Sequence, residues 1–133
     1  MAQRLCKSGF HFERLVTGPA LRASMTADIF ARSASFSGTV EEYTGLYTFD
    51  CAVLLDWICA LQEETDNLAI VGHNPAMTDL VNHLSGMKVD NLPTCSIVVL
   101  RCEVESWRDV VLSSTQNIYR NKVKLVYFDF PKK

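Results

Sequence analysis

The chain is 133 residues long, 48% hydrophobic and 21% charged, with a formal net charge of −2 at pH 7. This length and balance are typical of one globular domain with its own core, and the absence of any Lys/Arg cluster argues against nucleic acid as a partner. The apolar runs are too short to cross a membrane and the N-terminus does not look like a signal peptide, so we expect a cytoplasmic protein.

The N-terminal part of the sequence predicts a helix, a strand and a second helix. The first helix covers Met1 to about Lys7, the strand covers residues 14–17, and the second helix covers residues 19–33. Helical spacing relates four apolar side chains of the second helix, which we interpret as core: Leu21, Met25, Ile29 and Phe30.

Residues 18–22 join this strand to the second helix. Pro19 suits the first helical position, and Gly18 is a permissible N-cap. Arg22 then falls in the first turn of the helix, near the end that faces the loops. The ordinary role of an arginine in a helix is a solvated surface charge, and contact with a ligand is the alternative.

The middle of the chain continues with alternating elements. Residues 34–48, with Ser, Gly and Thr, predict a loop that holds one short strand, and residues 50–63 predict a helix capped by Asp50. A short buried strand at 68–72 then leads into a helix at 75–85.

His73 stands where the strand at 68–72 ends and the next helix begins. Asn74 occupies the position of a helix N-cap and Pro75 the first helical position. In open α/β sheets ligands bind at the carboxyl ends of the strands, and a helix N-terminus favours an anion. A histidine at such a junction can also simply hydrogen-bond a neighbouring carbonyl, so its position alone leaves both roles open.

The C-terminal part predicts two strands on either side of a turn. Residues 95–104 and 123–130 have the pattern of strands, and residues 106–110 that of a turn or short helix. The order of elements predicts a single domain over residues 1–133 with an α/β fold. We expect a three-layer α/β/α sandwich with a mostly parallel mixed sheet.

Two parallel strand–helix units would bring Arg22 and His73 to the same edge of this sheet. One fixed cation, one imidazole and two helix N-termini at that edge predict a phosphate pocket.

The spacing of the cysteines and histidines predicts no metal site. The five cysteines form no C-x-x-C pair and leave an odd count: Cys6, Cys51, Cys59, Cys95 and Cys102. With three scattered histidines they offer no ligand spacing, so we expect reduced, mostly buried thiols and neither a metal nor a cofactor.

The site residues belong to two short motifs, Gly18–Ala23 with Thr26–Ala27, and Val71–Pro75. Further motifs follow along the chain: Gly45–Tyr47, Leu92–Cys95, Trp107 and Phe130–Lys132. In their order and spacing these motifs resemble the histidine phosphatase superfamily, which has the phosphoglycerate mutase-like fold, and within it the small SixA-like phosphohistidine phosphatases. The resemblance runs essentially from Met1 to Lys133.

The chain departs from that family at two places. Family members begin with a strand ending in Arg-His-Gly, whose histidine accepts the phosphoryl group, and no Arg-His-Gly occurs in these 133 residues. Met1–Leu5 resembles the middle of the family's first helix, so we expect a natural chain that is longer at its N-terminus. Gly18 stands where the family usually has serine. Neither His11 nor His83 falls at the predicted pocket, and we assign both to ordinary structural or surface roles.

The resemblance implies phosphoryl transfer in two steps, through a phosphohistidine enzyme intermediate and without a metal. Arg22 would hold phosphate oxygens, and His73 would stabilise the charge on the transferred group. Backbone N–H groups after Gly18 and Asn74 would add donors.

Two glutamates are candidates for the proton donor. Glu41 and Glu42 lie in the loop from which an acid could reach the leaving group, although paired glutamates in a polar loop are more often solvated. The loop between Ser33 and Tyr47 is too short for a large capping insert. We therefore expect an open pocket whose partner is a phosphorylated protein, on phosphohistidine, or a small phosphoester.

Two functions remain open for a chain without the nucleophile. The first is a phosphatase that is inactive as this chain stands, and the second is a module that binds phosphate or a phosphoprotein without hydrolysis. A structural remnant without a ligand is a third alternative. In the family the absent strand lies between other strands, so a homo-oligomer could cover the gap.

Overall fold

The computed structural model describes residues 2–48, 50–62, 65–112 and 122–131. The chain divides into two compact units, residues 1–47 with 64–73 and residues 48–63 with 74–133. The single domain predicted over residues 1–133 stays a prediction. Within the described ranges no helix is both long enough and apolar enough to cross a membrane.

The first unit is built around a short parallel sheet. Its elements are α1 (Ala2–Lys7), β1 (Arg14–Thr17), α2 (Leu21–Ser33), β2 (Val40–Glu42), a 3-10 turn (Thr44–Leu46) and β3 (Leu68–Val71). β1 lies in the middle and pairs in parallel with β2 on one side and with β3 on the other. The side chains of Leu15, Val16 and Thr17 are completely buried, so β1 is the centre of this unit's core.

β3 corrects one prediction about burial. The apolar run Leu68–Val71 predicts a buried strand, but all four residues are only half-buried. Within the described residues β3 pairs with β1 along one edge and with no strand along the other. A strand at the edge of a sheet has fewer neighbours to cover it, which accounts for the partial exposure.

α2 is oriented differently from the prediction. The stripe taken for core is exposed at three of its four positions, with Leu21 71%, Met25 53% and Ile29 55% accessible. The buried face instead carries the alanines: Ala23, Ala27 and Ala31. Small side chains let the helix lie close to β1, and apolar spacing alone cannot distinguish this face from the larger stripe beside it.

The second unit combines three helices with an antiparallel strand pair. Its elements are α3 (Cys51–Cys59), α4 (Ala76–Ser85), β4 (Ile97–Cys102), α5 (Trp107–Leu112) and β5 (Val123–Asp129). β4 and β5 pair antiparallel, with an irregularity between Val99 and Leu100. The α/β class is therefore confirmed, with a parallel three-stranded sheet in one unit and an antiparallel pair in the other.

The helices of the second unit begin close to their predicted positions. Asp50 caps α3 as predicted, since its Oδ1 accepts a hydrogen bond of 2.9 Å from the Ala52 N–H. α3 ends at Cys59, four residues before the predicted end. Gly86 closes α4 in the left-handed conformation, with φ of 77°, and donates its N–H to the Asn82 carbonyl.

Candidate functional site

The three strands of the first unit end at one common edge. In the parallel register Thr17 is the partner of Glu42 on one side and of Val71 on the other. Arg22 follows β1 through a short loop, and His73 follows β3 directly. The structure therefore places both predicted site residues at the carboxyl edge of the sheet, where α/β folds bind their ligands.

His73 is half-buried, and its Nε2 atom is buried. Its ring lies beside that of Tyr47, with the centroids 5.8 Å apart and the planes inclined at 58°. Tyr47 itself is 56% exposed. An imidazole can donate a hydrogen bond to a phosphate oxygen and, when protonated, offset its charge.

Arg22 is exposed in the first turn of α2. The helix begins at Leu21, with Ala20 as its N-cap and no side-chain capping bond, so the predicted start at residue 19 with Gly18 as cap is wrong. Ser24 donates its N–H to the Ala20 carbonyl at 2.9 Å. The N–H groups before Ser24 have no carbonyl partner inside the helix, and they lie beside a guanidinium group that suits phosphate oxygens.

Gly18 is buried against the backbone of the 3-10 turn. A Cβ atom at this position would lie 3.0 Å from both the carbonyl carbon and oxygen of Leu46, and 3.2 Å from the Tyr47 nitrogen. Contacts this short with backbone atoms require the loop to move before a larger residue fits. The glycine at this position, where the resembling family usually has serine, is therefore consistent with the close packing of the two loops.

Glu41 forms an ion pair that the sequence analysis missed. Arg14 donates from Nε to Glu41 Oε2 at 3.0 Å and from Nη2 to Oε1 at 2.9 Å, and Tyr43 donates its hydroxyl to Oε1 at 2.7 Å. Arg14 also donates to the Thr65 hydroxyl. Only the strand register places these residues together, because 27 positions separate Arg14 from Glu41.

These hydrogen bonds change the acidity of the cluster. The bonds from Arg14 and then from Tyr43 lower the pKa of Glu41, so its carboxylate stays ionised at neutral pH. The same carboxylate raises the pKa of Arg14 and of Tyr43. A carboxylate that accepts hydrogen bonds from Arg14 and Tyr43 and stays ionised at neutral pH is poorly suited to donate a proton, which disfavours Glu41 as the leaving-group acid.

Glu42 differs from its neighbour. It is exposed and pairs in register with Thr17, so it lies at the same carboxyl edge as the loops that carry Arg22 and His73. Of the two glutamates proposed as acids, only Glu42 stands outside the Arg14 cluster.

Comparison with known proteins shows the fold. No family model matches the chain. The structure of the protein histidine phosphatase SixA complexed with tungstate superposes with a TM-score of 0.71 and 17% sequence identity, over 96% of this chain and 74% of that one. The crystal structure of the putative phosphohistidine phosphatase SixA from Agrobacterium tumefaciens gives a TM-score of 0.73 at 19% identity, over 98% and 75% of the two chains. This chain has the SixA fold.

Two further relatives extend the comparison. A putative SixA from Nakamurella multipartitia matches with a TM-score of 0.71 at 15% identity, over 98% of this chain and 77% of that one. An uncharacterized protein of Picosynechococcus is 36% identical over 77 residues. That match spans 56% of this chain and slightly less than half, 46%, of the relative. The resemblance to the SixA-like proteins is therefore confirmed for the fold.

Asn74 has a structural role at the start of α4. Its Oδ1 accepts hydrogen bonds from the Thr78 N–H at 3.2 Å and from the Thr78 hydroxyl at 2.7 Å, and its Nδ2 donates to the Leu92 carbonyl at 3.0 Å. α4 itself begins at Ala76, and Pro75 takes the N-cap position, joined to Asn74 by a cis peptide bond. The predicted N-cap is therefore displaced by one residue, although the Asn74 side chain still bonds the first turn.

The remaining two histidines do not directly follow a strand, as His73 follows β3. His11 precedes β1, at the end of the strand opposite Arg22, and His83 lies in the last turn of α4. All five cysteines are free thiols. Within the described residues, no three His, Cys, Asp or Glu side chains converge on a position that could hold a metal ion.

Proposed function

We propose that this chain carries the phosphate-holding half of a histidine-phosphatase site, whose complete form hydrolyses phosphohistidine in a protein. The observation that carries the proposal is the placement of Arg22 and His73 at one carboxyl edge of a sheet with the SixA fold. Tungstate is a tetrahedral oxyanion like phosphate, and a SixA binds it. A site of this kind suits the phosphoryl group of a phosphoprotein or a small phosphoester.

In the proposed reaction Arg22 and His73 have distinct tasks. The planar guanidinium of Arg22 holds two equatorial oxygens, and the N–H groups of the first turn of α2 add donors. His73 donates a hydrogen bond to a third oxygen and offsets the negative charge that spreads over the group during transfer. These interactions hold the phosphorus for in-line attack on the face opposite the leaving group.

In the complete site, the histidine of an Arg-His-Gly motif is the nucleophile. A histidine nitrogen attacks phosphorus, the bond to the leaving nitrogen or oxygen breaks, and the leaving atom takes up a proton. Water then attacks the phosphoenzyme, which releases phosphate and restores the histidine. Because these 133 residues contain no Arg-His-Gly, we expect this chain to bind the phosphoryl group without turning it over.

Glu42 is the proposed proton donor. It is exposed at the carboxyl edge, whereas Glu41 is held as a carboxylate by Arg14. A leaving imidazole departs readily once protonated, so phosphohistidine needs less help from this acid than an alkyl phosphate does. The described loop between Ser33 and Tyr47 is too short for a large cap, which also favours a protein side chain as the substrate.

The proposal is tested by oxyanion binding, which is measured as the change in thermal unfolding when tungstate or phosphate is present. At about 100 times its Kd, an anion that binds only the folded state adds about 2.7 kcal/mol to stability. We expect the melting temperature to rise, and the rise to disappear in Arg22→Ala and in His73→Ala. Arg32→Ala and His11→Ala are the matched controls, because they remove the same side-chain types from the far end of α2 and from the amino end of β1.

A hydrolysis assay separates binding from turnover. We expect the chain to hydrolyse p-nitrophenyl phosphate no faster than its Arg22→Ala variant does. Turnover that depends on Arg22 would show that the chain is active without an Arg-His-Gly motif. Equal thermal shifts in the Arg22→Ala and Arg32→Ala variants would refute the proposed site.

The second candidate is a binding module that retains a phosphorylated protein without hydrolysis. The absence of Arg-His-Gly from these residues favours it. The two candidates predict different results when a second chain that carries the Arg-His-Gly strand is added. Hydrolysis is restored if the protein is a phosphatase, and it is not restored if the protein is a binding module.

The half-buried edge of β3 is where such a strand, or a second copy of this chain, would pair. Sedimentation equilibrium distinguishes a homodimer from a monomer.

A further inference from the structure

An exposed aromatic side chain lies beside the imidazole of the proposed site. Tyr47 is 56% exposed, and its ring centroid is 5.8 Å from that of His73 with the planes at 58°. This distance and inclination are those of interacting rings. The contact uses part of the tyrosine ring and leaves more than half of the residue open.

The backbone that carries Tyr47 is firmly held. Leu46 is 2% exposed and anchors the 3-10 turn in the core of the first unit. The Tyr47 N–H donates to the Thr44 carbonyl, and the Leu46 N–H to the Tyr43 carbonyl, both at 3.1 Å. Gly18 packs against the carbonyl of Leu46 and the nitrogen of Tyr47, so the turn is in contact with the loop that leads to Arg22.

We propose that Tyr47 is a specificity-determining residue that stacks on the ring of the leaving group. When a phosphoryl group is hydrogen-bonded to His73, its leaving group is one bond away from the phosphorus. The leaving group is then within reach of the Tyr47 ring, which already contacts His73. An imidazole or phenyl ring there finds an aromatic partner, whereas an alkyl group finds none of comparable size. The proposal rests on the proposed function, because His73 must hold the phosphoryl group.

The substrate class follows from this stacking. The site binds phosphorylated compounds whose leaving group is an aromatic ring, such as phosphohistidine or an aryl phosphate. It prefers them to compounds whose leaving group is an alkyl chain, such as phosphoserine. An aromatic pair of this kind changes affinity by about three- to tenfold. Because the ring and not the hydroxyl provides the contact, phenylalanine replaces tyrosine without loss.

Binding of two stable probes to the full 133-residue chain tests the proposal. The dissociation constants of phenyl phosphate and methyl phosphate are measured by calorimetry for the wild type, Tyr47→Phe and Tyr47→Leu, with inorganic phosphate as the reference anion. We expect Tyr47→Leu to lower the preference for phenyl phosphate about three- to tenfold and Tyr47→Phe to keep it. Affinity for inorganic phosphate stays within about twofold in all three proteins.

Controls make each outcome decisive. Phe36→Leu removes an aromatic ring beyond the C-terminal end of α2 and leaves the preference unchanged. An unchanged preference in Tyr47→Leu, with phosphate still bound, overturns the role of Tyr47 and leaves the proposed function intact. Failure of the wild type to bind inorganic phosphate overturns the proposed function and this inference with it. Circular dichroism confirms that each variant is folded.

Discussion

Arg14 and Glu41 are joined by two hydrogen bonds across adjacent parallel strands, at 2.9 and 3.0 Å. Their side chains are 27% and 32% exposed, and the Tyr43 hydroxyl bonds the same carboxylate. A paired fork of this geometry, partly shielded from water, is stronger than an ordinary surface ion pair. The pair therefore links β1 to β2 through Glu41, one residue before Glu42 at the carboxyl edge of the sheet.

The stability of this pair depends on pH in a defined direction. Because the hydrogen bond from Arg14 lowers the folded pKa of Glu41 below its ordinary value of 4.5, the contribution is present above that value. It is lost as the pH falls through the folded pKa. A double-mutant cycle with Arg14→Met and Glu41→Gln should give a coupling of about 1 kcal/mol at neutral pH, and none in strong acid.

The Lys124–Glu103 pair is the comparison. Its atoms are 3.4 Å apart and its side chains are 54% and 46% exposed. We expect its own double-mutant cycle, measured by urea unfolding, to give no more than a few tenths of a kcal/mol. Similar coupling energies for the two pairs would contradict the claim that the Arg14–Glu41 pair is stronger than an ordinary surface ion pair.

The exposed face of α2 provides a second prediction. Met25→Gln should change the free energy of unfolding by less than about 0.5 kcal/mol, because Met25 is largely in solvent. Ala27→Leu should cost about 1–3 kcal/mol, since Ala27 is completely buried and a larger side chain must displace its neighbours. Urea unfolding of both variants measures the difference. A larger loss of stability for Met25→Gln than for Ala27→Leu would show that the face of α2 with Leu21, Met25 and Ile29 is the buried one.

Asn74 should matter for stability whether or not it binds phosphate. Its replacement by alanine removes bonds to Thr78 and to the Leu92 carbonyl, and we expect a loss of about 1–3 kcal/mol in thermal or urea unfolding. Asn67→Ala is the matched control, because exposed Asn67 makes a bond of 3.4 Å to Glu13. A cost no greater than that of Asn67→Ala would show that the Asn74 bonds contribute nothing.

The thiol of Cys102 should resist alkylation. Burial raises its pKa to about 11, so little thiolate is present at pH 8. Cys95 is exposed. Mass spectrometry after brief iodoacetamide treatment should therefore find Cys95 modified and Cys102 intact until the protein is unfolded. Early modification of Cys102 would mean that β4 opens readily.

Local sequence patterns determined the elements and their order. Strand β1 occurs at the predicted residues, Asp50 caps α3, and the C-terminal strands β4 and β5 differ from prediction only at their ends. Such features depend on neighbouring residues, whose periodicity and capping chemistry are visible in the chain. The α/β class and the common edge of Arg22 and His73 follow from that order. The phosphate-binding roles of Arg22, His73, Gly18 and Asn74 stay predictions.

Only the tertiary structure decided which surfaces meet. The sequence could not show that the alanines of α2 face the core while Met25 faces solvent, because both stripes have helical spacing. Nor could it join Arg14 to Glu41 or place Tyr47 against His73, since these pairs are distant in the chain and depend on strand register and loop packing. Apolar residues in β3 predicted burial, but burial also requires a neighbour on each side. Pairwise contacts between remote segments carry this information, and no local pattern encodes it.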